Sequence, residues 1–165
     1  MKKERKSGVP DMGRRSTKEN KNIYQRSREA RELSREAASE ALAHVSPERI
    51  EKIESGKSAP HPDEVLSMEK AYRAPELSNY FCTHECPIGM KYEPEASLKA
   101  LPHATVELLA ALGALEEEKD RLIAIAADAA VTEDEKAAFG EIREKLTRLE
   151  TAIRTMRIWI EHAEM

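Results

Sequence analysis

Aromatic residues make up only 4% of this 165-residue chain, with one tryptophan and two phenylalanines. That scarcity argues against a core built from sheets and favours helices. Cysteine occurs twice, too seldom for a disulfide framework. No apolar run approaches the roughly 20 residues that a membrane-spanning helix needs. The basic opening Met1-Lys2-Lys3-Glu4-Arg5-Lys6 has no apolar segment behind it, so it does not read as a secretory signal. The expectation is a cytoplasmic protein with no membrane partner. Catalytic signatures are missing as well: there is no phosphate-cradling glycine loop, no Gly-x-Ser-x-Gly and no His-Glu-x-x-His. His44, His61, His103 and His162 lack patterned partners. No enzyme and no cofactor are expected.

What is present begins at Leu33-Ser34-Arg35-Glu36-Ala37-Ala38 and runs through Val45-Ser46-Pro47-Glu48-Arg49-Ile50 to Ile53-Glu54-Ser55-Gly56-Lys57. The spacing predicts two short helices joined by a tight turn. Ser34 and Ser46 are candidate N-caps, whose hydroxyls take an otherwise orphaned backbone N–H. Pro47 follows the second cap at N1, where its missing N–H is harmless. Gly56 stands where a left-handed C-terminal residue would stop the second helix. Ala37, Ala38, Ala41 and Leu42 offer a small apolar face, and Ile50 and Ile53 form the i, i+3 pair that packs on it. The pattern is a helix-turn-helix, whose second helix can enter the DNA major groove.

Residues 23 to 80 resemble the Xre/Cro-type helix-turn-helix domain of phage repressors and bacterial regulators. The resemblance rests on Leu-Ser-x-Glu-x-Ala, on Val-Ser-x-x-x-Ile-x-x-Ile-Glu-x-Gly-Lys, and on Pro60 before a further amphipathic helix. It implies five helices in one compact domain, with the third reading duplex DNA, and a role in transcription, as a repressor that occludes a promoter. The expected contacts are Ser46, Glu48, Arg49 and Lys52 on that helix, with Arg35 and Lys57 on phosphates. Arg49 or Lys52 would read guanine or hold a phosphate, and Glu48 would accept from cytosine N4. Glu48, Glu51 and Glu54 on the same helix would repel phosphates. They support an alternative, a protein-interaction module that keeps the fold without binding DNA.

The net charge of −4 hides an asymmetry. Residues 1–31 hold 11 Lys/Arg and four Asp/Glu, a net +7, leaving 16 basic and 27 acidic residues, a net −11, for the rest. Residues 1–21, with Gly8, Pro10 and Gly13 and no apolar periodicity, are expected to be a disordered basic arm. Such an arm beside a helix-turn-helix can neutralise phosphates and release counterions, or simply be a solubilising tail. Residues 22–95 are assigned to the helix-turn-helix domain. Its first helix should run from Ile23 to Leu33 and its fourth from Asp63 to Tyr72, burying Val65, Leu66 and Met68. A fifth starts at Pro75 and carries Leu77, Tyr80 and Phe81.

Residues 98–165 change character. Alternate steps of four and three give Leu101, Thr105, Leu108, Leu112, Leu115, Lys119, Leu122, Ala126 and Ala129. A second run gives Phe139, Ile142, Leu146, Leu149, Ile153, Met156, Ile160 and Ala163. Thr132 and Glu135 between them match a capping box. The short connection predicts an antiparallel, coiled-coil-like hairpin. Leu109, Ile123, Ile125, Ile158 and Trp159 lie off the seam, and their exposure would mark a contact surface. A homodimer through 98–165, pairing two hairpins as a four-helix bundle, is expected, with docking to another protein or folding back on the DNA-binding domain as the alternatives. The fold class is thus all-α: a five-helix repressor-like domain followed by a helical hairpin.

Cys82, His84 and Cys86 lie within five residues and include the thiols and imidazole that zinc takes. The spacing between the thiols is wider than in a zinc knuckle, and no second cysteine pair exists. The plainer reading makes both cysteines small buried hydrophobes. No metal is assigned, and a metal- or thiol-responsive regulator stays as a further alternative.

Overall fold

The computed structural model of the chain describes residues 20–127 and 132–165, apart from the side chains of 133–135. The expected basic arm therefore lies outside the described residues up to 19. So do Ala129 of the first heptad run and the Glu135 side chain on which the expected capping box depends. The described residues form nine helices and no strand, so the protein is all-α. They are α1 (Ile23–Ala30), α2 (Arg35–Leu42), α3 (Pro47–Glu54), α4 (Pro62–Tyr72), α5 (Glu76–His84), α6 (Gly89–Tyr92), α7 (Leu101–Glu116), α8 (Lys119–Ala126) and α9 (Glu133–Glu164). The chain divides into two compact units, Met1–Arg73 and Ala74–Met165.

In the first unit, short helices start on explicit caps. Asn22 accepts from the Gln25 N–H to open α1 and donates to the Ile53 carbonyl at 2.8 Å, tying α1 to the end of α3. The core is Tyr24, Ala38, Leu42, Val45, Ile50, Ile53, Val65, Met68 and Tyr72, all nearly inaccessible. Two expectations change here. Ala41 is exposed, so the face of α2 that packs is narrower than its alanine content suggests. Leu66 is exposed too, because the spacing of Val65, Met68 and Tyr72 puts the inner stripe of α4 one position away from it.

The boundary between the two compact units falls between Arg73 and Ala74, so α5 groups with the helices that follow it. Local chemistry accounts for this. Buried Asn79 donates to the Pro94 carbonyl at 2.9 Å and accepts from the Ala96 N–H at 2.8 Å, binding α5 to the chain after α6. Gly89 lets α6 approach closely, since a Cβ there would fall 2.3 Å from the Cys82 carbonyl oxygen.

Further along, α7 and α9 run antiparallel. Arg121 donates to Glu141 at 2.7 Å and Lys145 to Glu118 at 2.6 Å, and Ala111 and Ala114 line one groove with Arg148 and Ala152. The first arm is not one helix: it breaks between Glu116 and Lys119, where Glu118 turns to Lys145 and Arg121. α8 packs Ile125 on Ala138 and Ile142, with Leu122 against them. The seam keeps Leu122 and Ile142 of the expected stripe and is otherwise offset from it. Ala104, Ala138, Ile142, Ala152, Thr155 and Ile158 are buried, while Leu101, Leu112, Phe139, Leu146, Ile153 and Ile160 are exposed. Small side chains let the helices approach, so alanines share the buried positions with Ile142 and Ile158 and the other large residues are left on the flank.

Candidate nucleic-acid interface

Two serines set the geometry of the motif. Ser34 accepts from the Ala37 N–H at 3.1 Å, and Ser46 from the Arg49 N–H at 3.2 Å. A glutamate follows each cap by two residues, and both carboxyls are held below the ordinary glutamate range. Glu36 owes this to its own backbone N–H and then to the Ser34 hydroxyl, Glu48 to the Ser46 hydroxyl and then to its own backbone. Acids are favoured at these positive helix ends. Ala43 at φ +60° makes the turn, a conformation that a non-glycine residue adopts at a cost. Gly56 at φ +72° ends α3, and the Lys57 N–H closes the last turn on the Lys52 carbonyl at 2.9 Å.

Of the three acids expected to repel phosphates, Glu54 does not face outward. Its carboxylate is almost inaccessible and takes both Nε and Nη2 of buried Arg28, the latter at 3.0 Å, and Nε of Arg35 at 2.9 Å. Burial would lower the Arg28 pKa, but hydrogen bonding and charge from Glu54 outweigh it and hold the guanidinium above its ordinary value. Glu48 and Glu51 remain outside with Lys52 and Lys57, and Lys57 approaches Glu51 at 3.9 Å. The outward face of α3 with the following loop is therefore balanced in charge.

The six expected contact residues separate into four groups. Ser46 and Glu48 sit at the start of α3, each engaged in capping but open to solvent. Lys52 and Lys57 are exposed beyond them. Arg35 gives Nε to Glu54 and is a third exposed, with no further hydrogen bond from its Nη nitrogens among the described residues. Its fork is thus aimed from behind and still open in front. Arg49 is the correction. It is spent inside the unit: Nε and Nη2 bind Glu64 at 2.8 and 2.6 Å, Nη1 binds Ser58 at 2.6 Å, and Nη2 also reaches the Ala59 carbonyl at 2.9 Å. With its donors so used, Arg49 fastens α3 to the loop and to α4 and is not free to read a base. In return it holds the Glu64 carboxyl below the ordinary range, and Glu64 accepts from the His61 N–H at 2.7 Å to open α4. Nothing in the local sequence announces Glu54–Arg28 or Glu64–Arg49, because each joins residues 15 or 26 positions apart.

The cysteine segment lies in the other unit. Cys82 and Cys86 are free and partly buried, and burial raises the Cys82 thiol pKa, which disfavours the thiolate. His84 stacks on Tyr80 with ring centroids 4.3 Å apart and places Nε2 3.6 Å from Glu95. Among the described residues no group of three His, Cys, Asp or Glu could hold a metal, so Cys82, His84 and Cys86 are not brought together as ligands. No helix among the described residues is long and apolar enough to cross a membrane.

A family model described as a helix-turn-helix domain matches residues 25–77, about a third of the chain. That similarity supports a DNA-binding regulator in general. No curated protein and no solved structure matches the chain.

Proposed function

We propose that the protein is a sequence-specific transcriptional regulator of the Xre/Cro type that works without catalysis, as a cytoplasmic repressor. It would lay α3 in the major groove and pair with a second copy through residues 98–165. The observation that carries this reading is the capped α2–turn–α3 unit, with Glu54, the acid at the C-terminal end of α3, turned inward onto two arginines. A reading helix that hides a carboxylate and keeps Lys52 and Lys57 outside is compatible with a phosphate surface. In this assignment Ser46 positions the helix start on the backbone, Lys52 reads guanine, Glu48 accepts from cytosine N4, and Arg35 and Lys57 hold phosphates. Arg49 is left out of the contact set for the reason given above. The residual acids Glu48 and Glu51 favour a second reading, a protein-binding module that has kept the fold.

Selection from a randomised duplex library, with sequencing of the retained fraction, separates the two. The proposal expects an enriched motif, with two half-sites about one helical turn apart for a dimer. Retention no better than for a chain-free control, from protein shown to be folded by circular dichroism, would overturn it.

A further inference from the structure

The second unit leaves one line of large apolar residues uncovered. Phe139, Leu146, Ile153 and Ile160 recur every seven residues along α9, and each is 40–44% exposed. The expected seam included them, but α9 meets α7 through the neighbouring stripe, so the line stands beside the contact. Leu101, Leu109 and Leu112 of α7 are exposed as well. Next to the line runs a charged row with the same spacing: Arg143, Glu150, Arg157 and Glu164, all exposed and without an ion pair among the described residues.

This pattern is self-complementary about one point. Ile153 is the centre, with Leu146 seven residues before it and Ile160 seven after. Glu150 lies three before and Arg157 four after, and Arg143 lies ten before and Glu164 eleven after. A two-fold axis beside Ile153 therefore sets two antiparallel α9 helices with Ile153 on the partner's Ile153 and Leu146 on the partner's Ile160. The same axis brings Glu150 to the partner's Arg157 and Arg143 to the partner's Glu164, each twice, as an isologous contact requires. The one-residue offset of the charges is about 1.5 Å along a helix, within reach of such long side chains. A parallel pairing would put every charge against its own copy. An axis moved to residue 150 would set Arg143 against the partner's Arg157.

We infer that the occupant of this face is a second copy of the chain, docked antiparallel along α9 about Ile153, with the Glu150–Arg157 pairs fixing the register. The inference rests on the homodimer proposed above and gives it a face and a geometry. Burying the line supplies attraction without direction, and the charges choose the orientation.

The test uses full-length chains and light scattering coupled to gel filtration, with circular dichroism to verify folding. The parent should be a dimer at tens of micromolar, about the concentration at which a stable dimer survives. Glu150→Arg alone, or Arg157→Glu alone, sets like charges against each other at both ends of the contact and should weaken the dimer at least tenfold. The double change Glu150→Arg with Arg157→Glu restores opposite charges and should recover it. The two single variants mixed should form a heterodimer in preference to either homodimer. If the parent is a dimer that neither single reversal weakens, this face is not the interface, and the homodimer stands without it. If the single variants weaken but neither the double variant nor the mixture recovers, the antiparallel register is wrong. A parent that is monomeric at that concentration defeats the homodimer and this inference together.

Discussion

In residues 20–73 the side chains that look most awkward in the sequence satisfy one another. Glu54 takes Arg28 and Arg35, Glu64 takes Arg49, and the apolar residues Ile50, Ile53, Val65, Met68 and Tyr72 close over a small core. In residues 98–165 the reverse holds. Arg121 and Glu141 pair on the surface and Lys145 and Glu118 are only partly buried, and α9 carries more apolar residues than α7 and α8 can cover. The first unit is a set of short helices that could not stand alone and are held by caps and buried pairs, each with a fixed geometry. The second is long and periodic, and it has apolar surface to spare. Specific recognition needs rigid placement of a few groups, whereas self-association needs a wide complementary strip. On the proposed reading, the contrast would place recognition and assembly in separate units of the chain.

The contrast can be broken most forcefully from inside. Ile53→Asp should unfold the first unit and Ile158→Glu the second, each at a cost on the order of 4 kcal/mol or more, since both sites are inaccessible. Hydrogen exchange followed region by region would show which unit opens. A folded monomer from Ile158→Glu would mean that Ile158 faces a partner and not its own chain. The sequence reading places Ile158 off the hairpin seam; the structure buries it completely.

Glu54→Ala should follow in size. It leaves Arg28 buried without its partner, and removing one member of such a pair costs about 3–5 kcal/mol. In denaturant melts, an exposed acid of the second unit such as Glu144, changed to Ala, should stay within about 0.5 kcal/mol. Similar losses for the two would remove the buried pair from the account of the first unit.

Arg49→Ala should cost about 1–3 kcal/mol of stability, since Glu64 and the Ala59 carbonyl lose their donors. The loss should also depend on pH. Because Arg49 lowers the Glu64 carboxyl in the folded state, the stabilisation is present above the ordinary carboxylate pKa of about 4.3 and fades as pH falls through the lowered folded value. Parent and variant should therefore converge in acid. A stability gap that stays constant from neutral pH into acid would assign the loss to something other than this pair.

These cases show how much was legible beforehand. Caps are local, so Ser34, Ser46, Pro47 and Gly56 announced the helix boundaries of the motif, and the structure has them there. First-helix length was less legible: α1 stops at Ala30, and Glu32 turns at φ +57° before Leu33. Long-range ion pairs leave no periodic trace, so Arg49 read as a free base contact until its partners in the loop and α4 were placed. In the hairpin, heptad stepping found the right helices and placed Leu122 and Ile142 in the contact, but left Phe139, Leu146, Ile153 and Ile160 on the wrong flank. Stepping counts large apolar residues, whereas close helix contact selects the small ones, Ala104, Ala138 and Ala152. The break at Glu117 carried no proline or glycine to mark it.

The smallest effects concern the candidate contacts, where stability should hardly move. Lys52→Ala should cost about 1–3 kcal/mol of DNA affinity and relax preference at one position. Lys57→Ala should weaken binding evenly across sequences and reduce the salt slope by about one. Equal affinity for parent and both variants would remove α3 and its following loop from the interface.

One titration tests the central claim most directly: the parent chain added to a labelled mixed-sequence duplex, followed by fluorescence anisotropy from low to moderate salt. The account predicts binding whose logarithm falls linearly with the logarithm of salt concentration, and a shallower slope when residues 1–21, with their eight Lys/Arg, are deleted. An unchanged slope would remove the arm from the binding surface. No anisotropy change at the lowest salt, from protein shown to be folded, would contradict DNA binding itself.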